Sequence, residues 1–188
     1  MSGPSRYRLE RHPDSPPSPA ERIEVTVGRP FEGTLTLDYR VFGDVADIRL
    51  PPEGEPGRTD DLWRHTCFEA FVRNGGAEGY LELNFTTSMQ WAAYRFCGYR
   101  ADMLPANIQP PWVMEGRLDP NLELRVEIDL GRLARPDVSA DVWRLGLSAV
   151  IEDIDGGFSY WALAHPPGKP DFHHPDSFAL TLPPPEPV

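Results

Sequence analysis

Residues 62–96 read LWRHTCFEAFVRNGGAEGYLELNFTTSMQWAAYRF, and this stretch carries the clearest β-strand pattern of the chain. It holds three short runs rich in aromatic residues, Val and Thr, the composition of β-strands. The runs are Cys67–Arg73, Tyr80–Thr86 and Ala92–Tyr99. Because successive side chains of a strand point to opposite faces, the apolar residues at every second position predict a core-facing side. The stretch predicts three strands of one sheet.

Similar runs extend the pattern in both directions along the chain. They are Ile23–Val27, Gly33–Val41, Leu122–Asp129, Arg144–Glu152, Ser159–Leu163 and Ser177–Leu182. Strand-like runs with turn signals between them, and no sustained helical period, favour an all-β protein. Nine strands without crossover helices predict an antiparallel β-sandwich or jelly roll.

The length and the prolines define the domain organisation. A chain of 188 residues suits one domain with its own core. Residues 1–20 and 183–188 are polar and proline-rich, which predicts flexible tails around a single domain at 21–182.

The charge and the apolar runs indicate which partners to expect. The chain carries 29 acidic and 18 basic residues, for a formal charge of −11. Such a surface repels phosphate groups, so we expect neither nucleic acid nor an anionic membrane as a partner. No run approaches the roughly 20 apolar residues that span a bilayer, and the N-terminus lacks a signal-type apolar region. A cytoplasmic protein is therefore expected.

Polar residues of the three central runs form the candidate binding face. If these runs are neighbours in one sheet, alternation places Glu69, Glu82, Asn84 and Arg95 on a shared face. Trp63 and Trp91 stand beside the first and third runs. Sugar hydroxyls need paired donors and acceptors, and the C–H face of a pyranose stacks on an aromatic ring. The alternative is a solvated face in which Glu69 and Arg95 form an ion pair.

Three blocks of the chain resemble a known family. Residues 62–96, 119–130 (DPNLELRVEIDL) and 172–182 (FHHPDSFALTL) are similar to DOMON-like domains related to family 9 carbohydrate-binding modules. The resemblance implies a jelly-roll or immunoglobulin-like sandwich. It also implies a non-catalytic role in binding sugars or, in other branches, haem.

The resemblance also assigns residues to the sugar site. A Trp just before the central strand and a Glu six residues later face the ligand in sugar-binding relatives, and Trp63 and Glu69 look like these positions. Arg95 is the counterpart of an Arg from the following hairpin. For the second aromatic wall near the C-terminus, this chain offers Trp161 with His173 or His174, at a different spacing.

The late loop between the last two runs concentrates histidines. His165, His173 and His174 lie within ten residues, and prolines on both sides stiffen the backbone. With Asp171 and Asp176 they could bind Zn²⁺ or Ni²⁺. Adjacent side chains of extended backbone point apart, however, so these histidines could equally bond to loop carbonyls or face water.

Two further cofactors come into question. Haem would need a sulfur from Met89, Met103 or Met114 and a nitrogen from the late loop. Structural Ca²⁺ would need oxygens from the acidic turn at Glu152, Asp153 and Asp155.

Catalysis is the remaining class to consider. Glu69 and Glu82 could lie at the spacing of a glycosidase pair, and Cys67 with His65 could act as nucleophile and base. Any two carboxylates on one sheet face can reach the glycosidase spacing, so that signal is weak, and no third group completes the pair of Cys67 and His65. We therefore expect a binding module without cofactor or catalysis. Its ligand would be a sugar-like small molecule, and a protein-interaction domain is the alternative. The predicted ligand-binding residues are Trp63, Glu69, Glu82, Asn84, Arg95, Trp161 and His173.

Overall fold

The computed structural model describes residues 4–52, 54–118, 121–131 and 142–185. Within these ranges it contains β-strands and three single-turn 3-10 helices, at Val45–Asp47, Leu62–Arg64 and Pro175–Ser177. None of these helices is long or apolar enough to cross a membrane. In chain order the strands are β1 (Ser5–Arg11), β2 (Ala20–Gly28), β3 (Thr34–Gly43), β4 (Gly57–Arg58), β5 (Cys67–Asn74), β6 (Tyr80–Phe85), β7 (Gln90–Phe96), β8 (Leu104–Pro105), β9 (Trp112–Leu118), β10 (Asn121–Asp129), β11 (Trp143–Glu152), β12 (Phe158–Ala162) and β13 (Leu180–Leu182).

The strands form a curled sheet that folds over on itself into two packed layers. Sheet A has the order β1-β2-β3-β10-β9, and sheet B has the order β12-β11-β5-β6-β7-β4, with β13 beside β11 and β8 beside β7. β4 pairs in parallel with β7, and the other pairings are antiparallel. The predicted all-β, sandwich-like fold is confirmed.

β1 joins the two sheets, and the predicted N-terminal tail is wrong for this segment. Leu9 pairs with Ile23 of β2, while Arg11 pairs with Trp161 of β12. Leu9 is fully buried. A single buried Leu within an otherwise polar strand gives too weak an apolar pattern to be recognised. Of the C-terminal tail, residues 183–185 are outside any strand or helix, and 186–188 lie outside the described residues.

The hydrophobic core lies between the two sheets. Sheet A contributes alternate residues such as Ile23, Leu37 and Val126, and sheet B contributes residues such as Phe68 and Leu83. This alternation agrees with the sequence pattern, in which every second residue of each run is apolar.

The outer face of sheet B is covered as well. A second apolar cluster forms there, and its buried members are Leu62, Cys67, Phe71, Tyr80, Ala92, Tyr94, Phe96 and Phe178. Trp63 and Phe172 pack against it. Leu62 and Trp63 belong to the 3-10 helix before β5, whereas Phe172 and Phe178 belong to the loop before β13. Two segments therefore frame this outer face, and the candidate site lies there.

Candidate functional site

Two buried carboxyl groups form the centre of the site. Register places Glu69 of β5 opposite Asn84 of β6, and Glu82 opposite Phe71, so these side chains share the outer face of sheet B. The shared face of Glu69, Glu82 and Asn84 was predicted from alternation and is confirmed. Glu69 is 3% exposed and Glu82 is 5% exposed.

Neutral side chains bind both carboxyl groups. Ser148 of β11 lies directly across from Glu69, and its hydroxyl donates to Glu69 Oε2 at 3.1 Å. Asn84 Nδ2 donates to Glu82 Oε1 at 2.8 Å. The buried thiol of Cys67 lies 3.9 Å from Asn84 Oδ1. The carboxyl pair is thus part of a polar network set into an apolar surface.

Burial and mutual repulsion change the pKa of the pair. Burial and, to a smaller extent, the nearby Glu82 together raise the pKa of Glu69 to about 8, against the opposing effects of Ser148 and Arg100. Burial also raises the pKa of Glu82, while the Asn84 hydrogen bond and Arg100 oppose that rise. Two interacting carboxyl groups in one low-dielectric site do not both ionise readily. At neutral pH Glu69 therefore keeps its proton in the folded protein.

Arg95 does not belong to this face, and the prediction that it does is wrong. Register pairs Glu82 with Tyr94 of β7, whereas Arg95 lies opposite Leu81 and is exposed. Both faces of β7 are covered by other parts of the protein, so apolar residues occur on both. Alternation could not show which of the two faces was the polar one.

Arg100 is the cation at this site, and sequence reasoning missed it. It lies in the turn after β7 with a left-handed φ of 52°. Its Nη2 lies 2.8 Å from Asp171 Oδ1, and the Tyr99 hydroxyl donates to the other oxygen of Asp171 at 2.6 Å. A turn residue with this backbone has no alternation to reveal which face it serves. The sequence therefore held no signal that distinguishes Arg100 from other surface arginines.

These contacts also fix the charge of Asp171. Burial alone would raise the pKa of Asp171, but the hydrogen bonds from Tyr99 and Arg100 outweigh it and hold the pKa below the usual range. Asp171 is therefore an anion that ties the late loop to the turn after β7.

His173 links the late loop to the carboxyl pair. Its Nδ1 lies 2.8 Å from the Tyr80 hydroxyl, and its Nε2 lies 3.6 Å from Glu82 Oε2. The imidazole packs edge-on against Phe71 and Phe96, with ring centroids 5.0 and 5.1 Å away. Burial, and then the charge of Arg100, lower the pKa of His173 to about 4 although Asp171 opposes this. His173 is therefore neutral at physiological pH and touches the predicted site.

The other two late histidines lie elsewhere. His165 bonds through Nε2 to the Glu10 carbonyl at 2.8 Å and packs edge-on against His12. His174 Nδ1 accepts from the Asp176 backbone N–H at 3.2 Å and caps the last 3-10 helix. The three histidines considered for a metal do not converge. Among the described residues, no three His, Cys, Asp or Glu side chains are grouped to hold a metal ion.

The groups considered for haem and for Ca²⁺ are dispersed or already bonded. Met89 lies in the β6–β7 turn, Met103 precedes β8, and Met114 lies on β9 in sheet A; they are 36% to 51% exposed. Asp153 Oδ1 accepts hydrogen bonds from the backbone N–H groups of Asp155 and Gly157 at 2.9 and 2.8 Å. This carboxylate stabilises its own turn.

Aromatic rings flank the carboxyl pair on the side away from His173. Trp63 lies in the 3-10 helix that follows Asp61, a residue with a left-handed φ of 64°, and its side chain is half-buried. The ring meets Tyr94 edge-to-face, with centroids 5.8 Å apart. The Tyr94 hydroxyl donates to Asp60 Oδ1 at 2.5 Å, and burial followed by this carboxylate raises the Tyr94 pKa. The half-exposed Trp63 therefore lies beside Tyr94, the residue that pairs with Glu82.

Two other tryptophans are core residues. Trp161 was predicted as a ligand residue and Trp91 as a rim residue, but they are 3% and 6% exposed and belong to the core between the sheets. The indole N–H of Trp161 donates to Ser159 Oγ at 3.0 Å. Trp161 pairs with Ala149, a core position of β11, so its side chain lies on the inner face of sheet B.

The Asp171 contacts lead to a prediction about the late loop. Asp171→Ala removes the acceptor of Tyr99 and Arg100, and we expect the free energy of unfolding to fall by about 1 kcal/mol. Amide hydrogen exchange in residues 165–178 should accelerate more than exchange in sheet A. Asp176→Ala is the matched control, because the Asp176 side chain is 74% exposed and lies 3.6 Å from the His174 ring without a tie to the turn after β7. Equal exchange in the two variants would refute the tethering role of Asp171.

Comparison with solved structures relates this architecture to two other proteins. A candidate carbohydrate-binding protein from Bacteroides uniformis superposes with a TM-score of 0.61 at 17% identity, over 93% of this chain and 84% of its own. A family 9 carbohydrate-binding module from Caldicellulosiruptor kristjanssonii, solved with cellotriose, gives a TM-score of 0.52 at 8% identity. That match covers 88% of this chain and 75% of the module. The chain shares their fold.

The likeness lies in the three-dimensional structure rather than in the sequence. No protein-family model matches the chain, and the search of curated proteins found no match. At identities of 17% and 8%, the comparisons establish the sandwich-like architecture.

Proposed function

We propose that this protein binds a carbohydrate on the outer face of sheet B, in a site between Trp63 and His173. The observation that carries the proposal is a half-exposed Trp ring beside a buried cluster of carboxyl, amide and imidazole groups. A sugar presents an apolar C–H face and a rim of hydroxyls, so it is recognised by an aromatic surface next to hydrogen-bonding groups.

Contacts connect the two sides of the site. Trp63 packs against Tyr94, Tyr94 lies opposite Glu82, and Glu82 lies 3.6 Å from His173. Asp60 and Arg100 are exposed on either side of this row. A pyranose stacked on Trp63 would therefore find carboxylate acceptors and a guanidinium donor around its edge.

The comparisons supply independent support. The family 9 module of the same fold was solved in complex with cellotriose, and the Bacteroides uniformis protein is a candidate carbohydrate-binding protein. These properties belong to those proteins, and we extend sugar binding to this chain as part of the proposal.

Binding is favoured over catalysis by the burial of the two carboxyl groups. At 3% and 5% exposed, Glu69 and Glu82 have little access to a glycosidic bond, and both are engaged with neighbouring side chains. A glycosidase needs both carboxyl groups beside the scissile bond. We therefore propose a non-catalytic role for the pair.

Titration calorimetry tests the proposal. Cellobiose, cellotriose, maltose and xylobiose should be titrated separately, and we expect at least one to bind. Trp63→Ala should weaken that binding about tenfold or more, because the stacking surface is lost. Trp112→Ala is the matched control, since Trp112 is 55% exposed but lies on β9 of sheet A. Absence of heat with all of these sugars and with the disaccharides named in the next subsection would overturn the proposal, as would equal losses in the two Trp variants.

A further inference from the structure

We infer that the preferred ligand of this site is an amino sugar, whose protonated amino group binds beside Glu82. The inference rests on the proposed function, because it assigns the ligand class at the same site. It follows from three properties of the site: its balance of charges, the narrow access to Glu82, and the aromatic rings around it.

The balance of charges favours a cationic ligand. The carboxyl groups of Glu82, Asp60 and Asp171 lie around the site, whereas Glu69 keeps its proton, and Arg100 is bonded to Asp171 at 2.8 Å. The guanidinium of Arg58 donates to the carbonyls of Ala93 and Ala106 at the sheet edge, and its charge also acts on Tyr94, so it offsets part of this negative charge. His173 is neutral because burial lowers its pKa to about 4. The surroundings therefore carry more negative than positive charge.

The groups in contact with the buried pair are neutral, and the charge of Arg100 acts on the pair without a direct contact. Ser148 binds Glu69, and Asn84 and the neutral His173 lie against Glu82. A charge in a low-dielectric site is costly until an opposite charge joins it. An ammonium group beside Glu82 would supply that opposite charge, whereas a hydroxyl would supply a hydrogen bond alone.

The access to Glu82 fits a single substituent rather than a whole ring. The Glu82 side chain is 7% exposed and that of His173 is 14% exposed, and Trp63 is half-buried at the surface. A pyranose ring on Trp63 could direct one group inward toward Glu82. An amino group is of that size and carries up to three donors for the carboxylate.

Aromatic rings around Glu82 strengthen the preference for a cation. Tyr94 lies directly opposite Glu82, and Trp63 packs on Tyr94. The electron-rich faces of Trp and Tyr attract ammonium groups, and the attraction grows as water is excluded. A neutral hydroxyl at the same place gains nothing from it.

The test uses three disaccharides with the same β-1,4 linkage that differ at carbon 2. They are cellobiose, the disaccharide of glucosamine, and the disaccharide of N-acetylglucosamine. Calorimetry at pH 6, where the amine is protonated, should show the glucosamine disaccharide binding about tenfold or more tightly than either neutral sugar. Raising the salt concentration should weaken glucosamine binding much more than cellobiose binding.

Variants identify the group responsible. Glu82→Gln should reduce the affinity for the glucosamine disaccharide by a larger factor than the affinity for cellobiose. Glu127→Gln is the control, because Glu127 is exposed on β10 of sheet A. Circular dichroism of each variant confirms that it is folded, and the comparison of ligands on the unaltered protein does not depend on the variants.

The outcomes separate the inference from the proposed function. Cellobiose binding as tightly as the glucosamine disaccharide would overturn the amino-sugar inference and leave carbohydrate binding standing. Failure of all three disaccharides, together with the sugars tested above, would overturn the proposed function and the inference with it.

Discussion

Glu69→Gln is expected to stabilise the fold by about 2 to 4 kcal/mol at pH 8, and to have little effect near pH 4. Burial and the neighbouring Glu82 raise the pKa of Glu69 from 4.5 to about 8. The ionised form is thus disfavoured in the folded protein. Gln has a similar shape, keeps an acceptor for Ser148, and never acquires the charge.

The direction of the pH dependence follows from proton binding. Between pH 4.5, where Glu69 of the unfolded chain titrates, and about pH 8, the folded protein holds a proton that the unfolded chain has lost. The stabilising contribution of the protonated Glu69 is complete below pH 4.5 and is lost as the pH rises through this window. The gain from Glu69→Gln should therefore grow from pH 4.5 to about pH 8 and then level off.

Denaturant unfolding of both proteins at several pH values measures this difference. Because Glu82 and Arg100 also act on Glu69, the comparison should be made as a difference between wild type and variant. Glu127→Gln, at an exposed position of sheet A, should show no such trend. A variant no more stable than wild type at pH 8 would mean that Glu69 is ionised and stabilised by a cation in the folded state.

Trp161→Ala is expected to cost about 3 to 5 kcal/mol of unfolding free energy, enough to lower the melting temperature by roughly 10 °C. Trp161 is 3% exposed within the core, and it lies on β12 where that strand pairs with β1. Removal of the indole leaves a cavity at this position and takes away the N–H donor of the Ser159 hydroxyl, which still donates to Ser18 Oγ at 2.8 Å. The loss is a loss of packing rather than of ligand contacts.

Trp63→Ala is the comparison, because the two tryptophans were predicted from the sequence to serve the same ligand. Trp63 lies at the surface and packs against the outer cluster, so its removal should cost about 1 kcal/mol. Thermal unfolding of both variants distinguishes the roles. A melting temperature of Trp161→Ala close to that of wild type would place Trp161 outside the core.

Alternation along the chain predicted much of the sheet structure. Runs with apolar residues at every second position, such as Cys67–Arg73 and Tyr80–Thr86, correspond to β5 and β6 within one residue at their ends. The same alternation placed Glu69, Glu82 and Asn84 on one face, because antiparallel neighbours with one core-facing side have their register fixed. The central part of the site was therefore accessible from the sequence.

The remaining site residues depended on contacts that no periodicity records. Arg95 was placed on the wrong face because β7 has buried residues on both of its faces. Arg100 was missed because it lies in a turn, where no alternation assigns a face. His173 meets Glu82 only because the late loop folds back over sheet B. The role of Trp161 could not be predicted either, because a Trp in a strand can lie in the core or line a ligand site.

The position of β1 has a consequence for how this chain is synthesised. Arg11 pairs with Trp161, 150 residues later in the chain, so the two sheets cannot be joined until β12 has left the ribosome. Contacts this distant in sequence slow folding, because a long loop must close before they form. Until then, β1 and the facing edge of sheet B expose unpaired backbone groups that neighbouring chains can bind. Chaperone capacity and translation speed should therefore determine the yield of soluble protein more strongly than the stability of the finished fold.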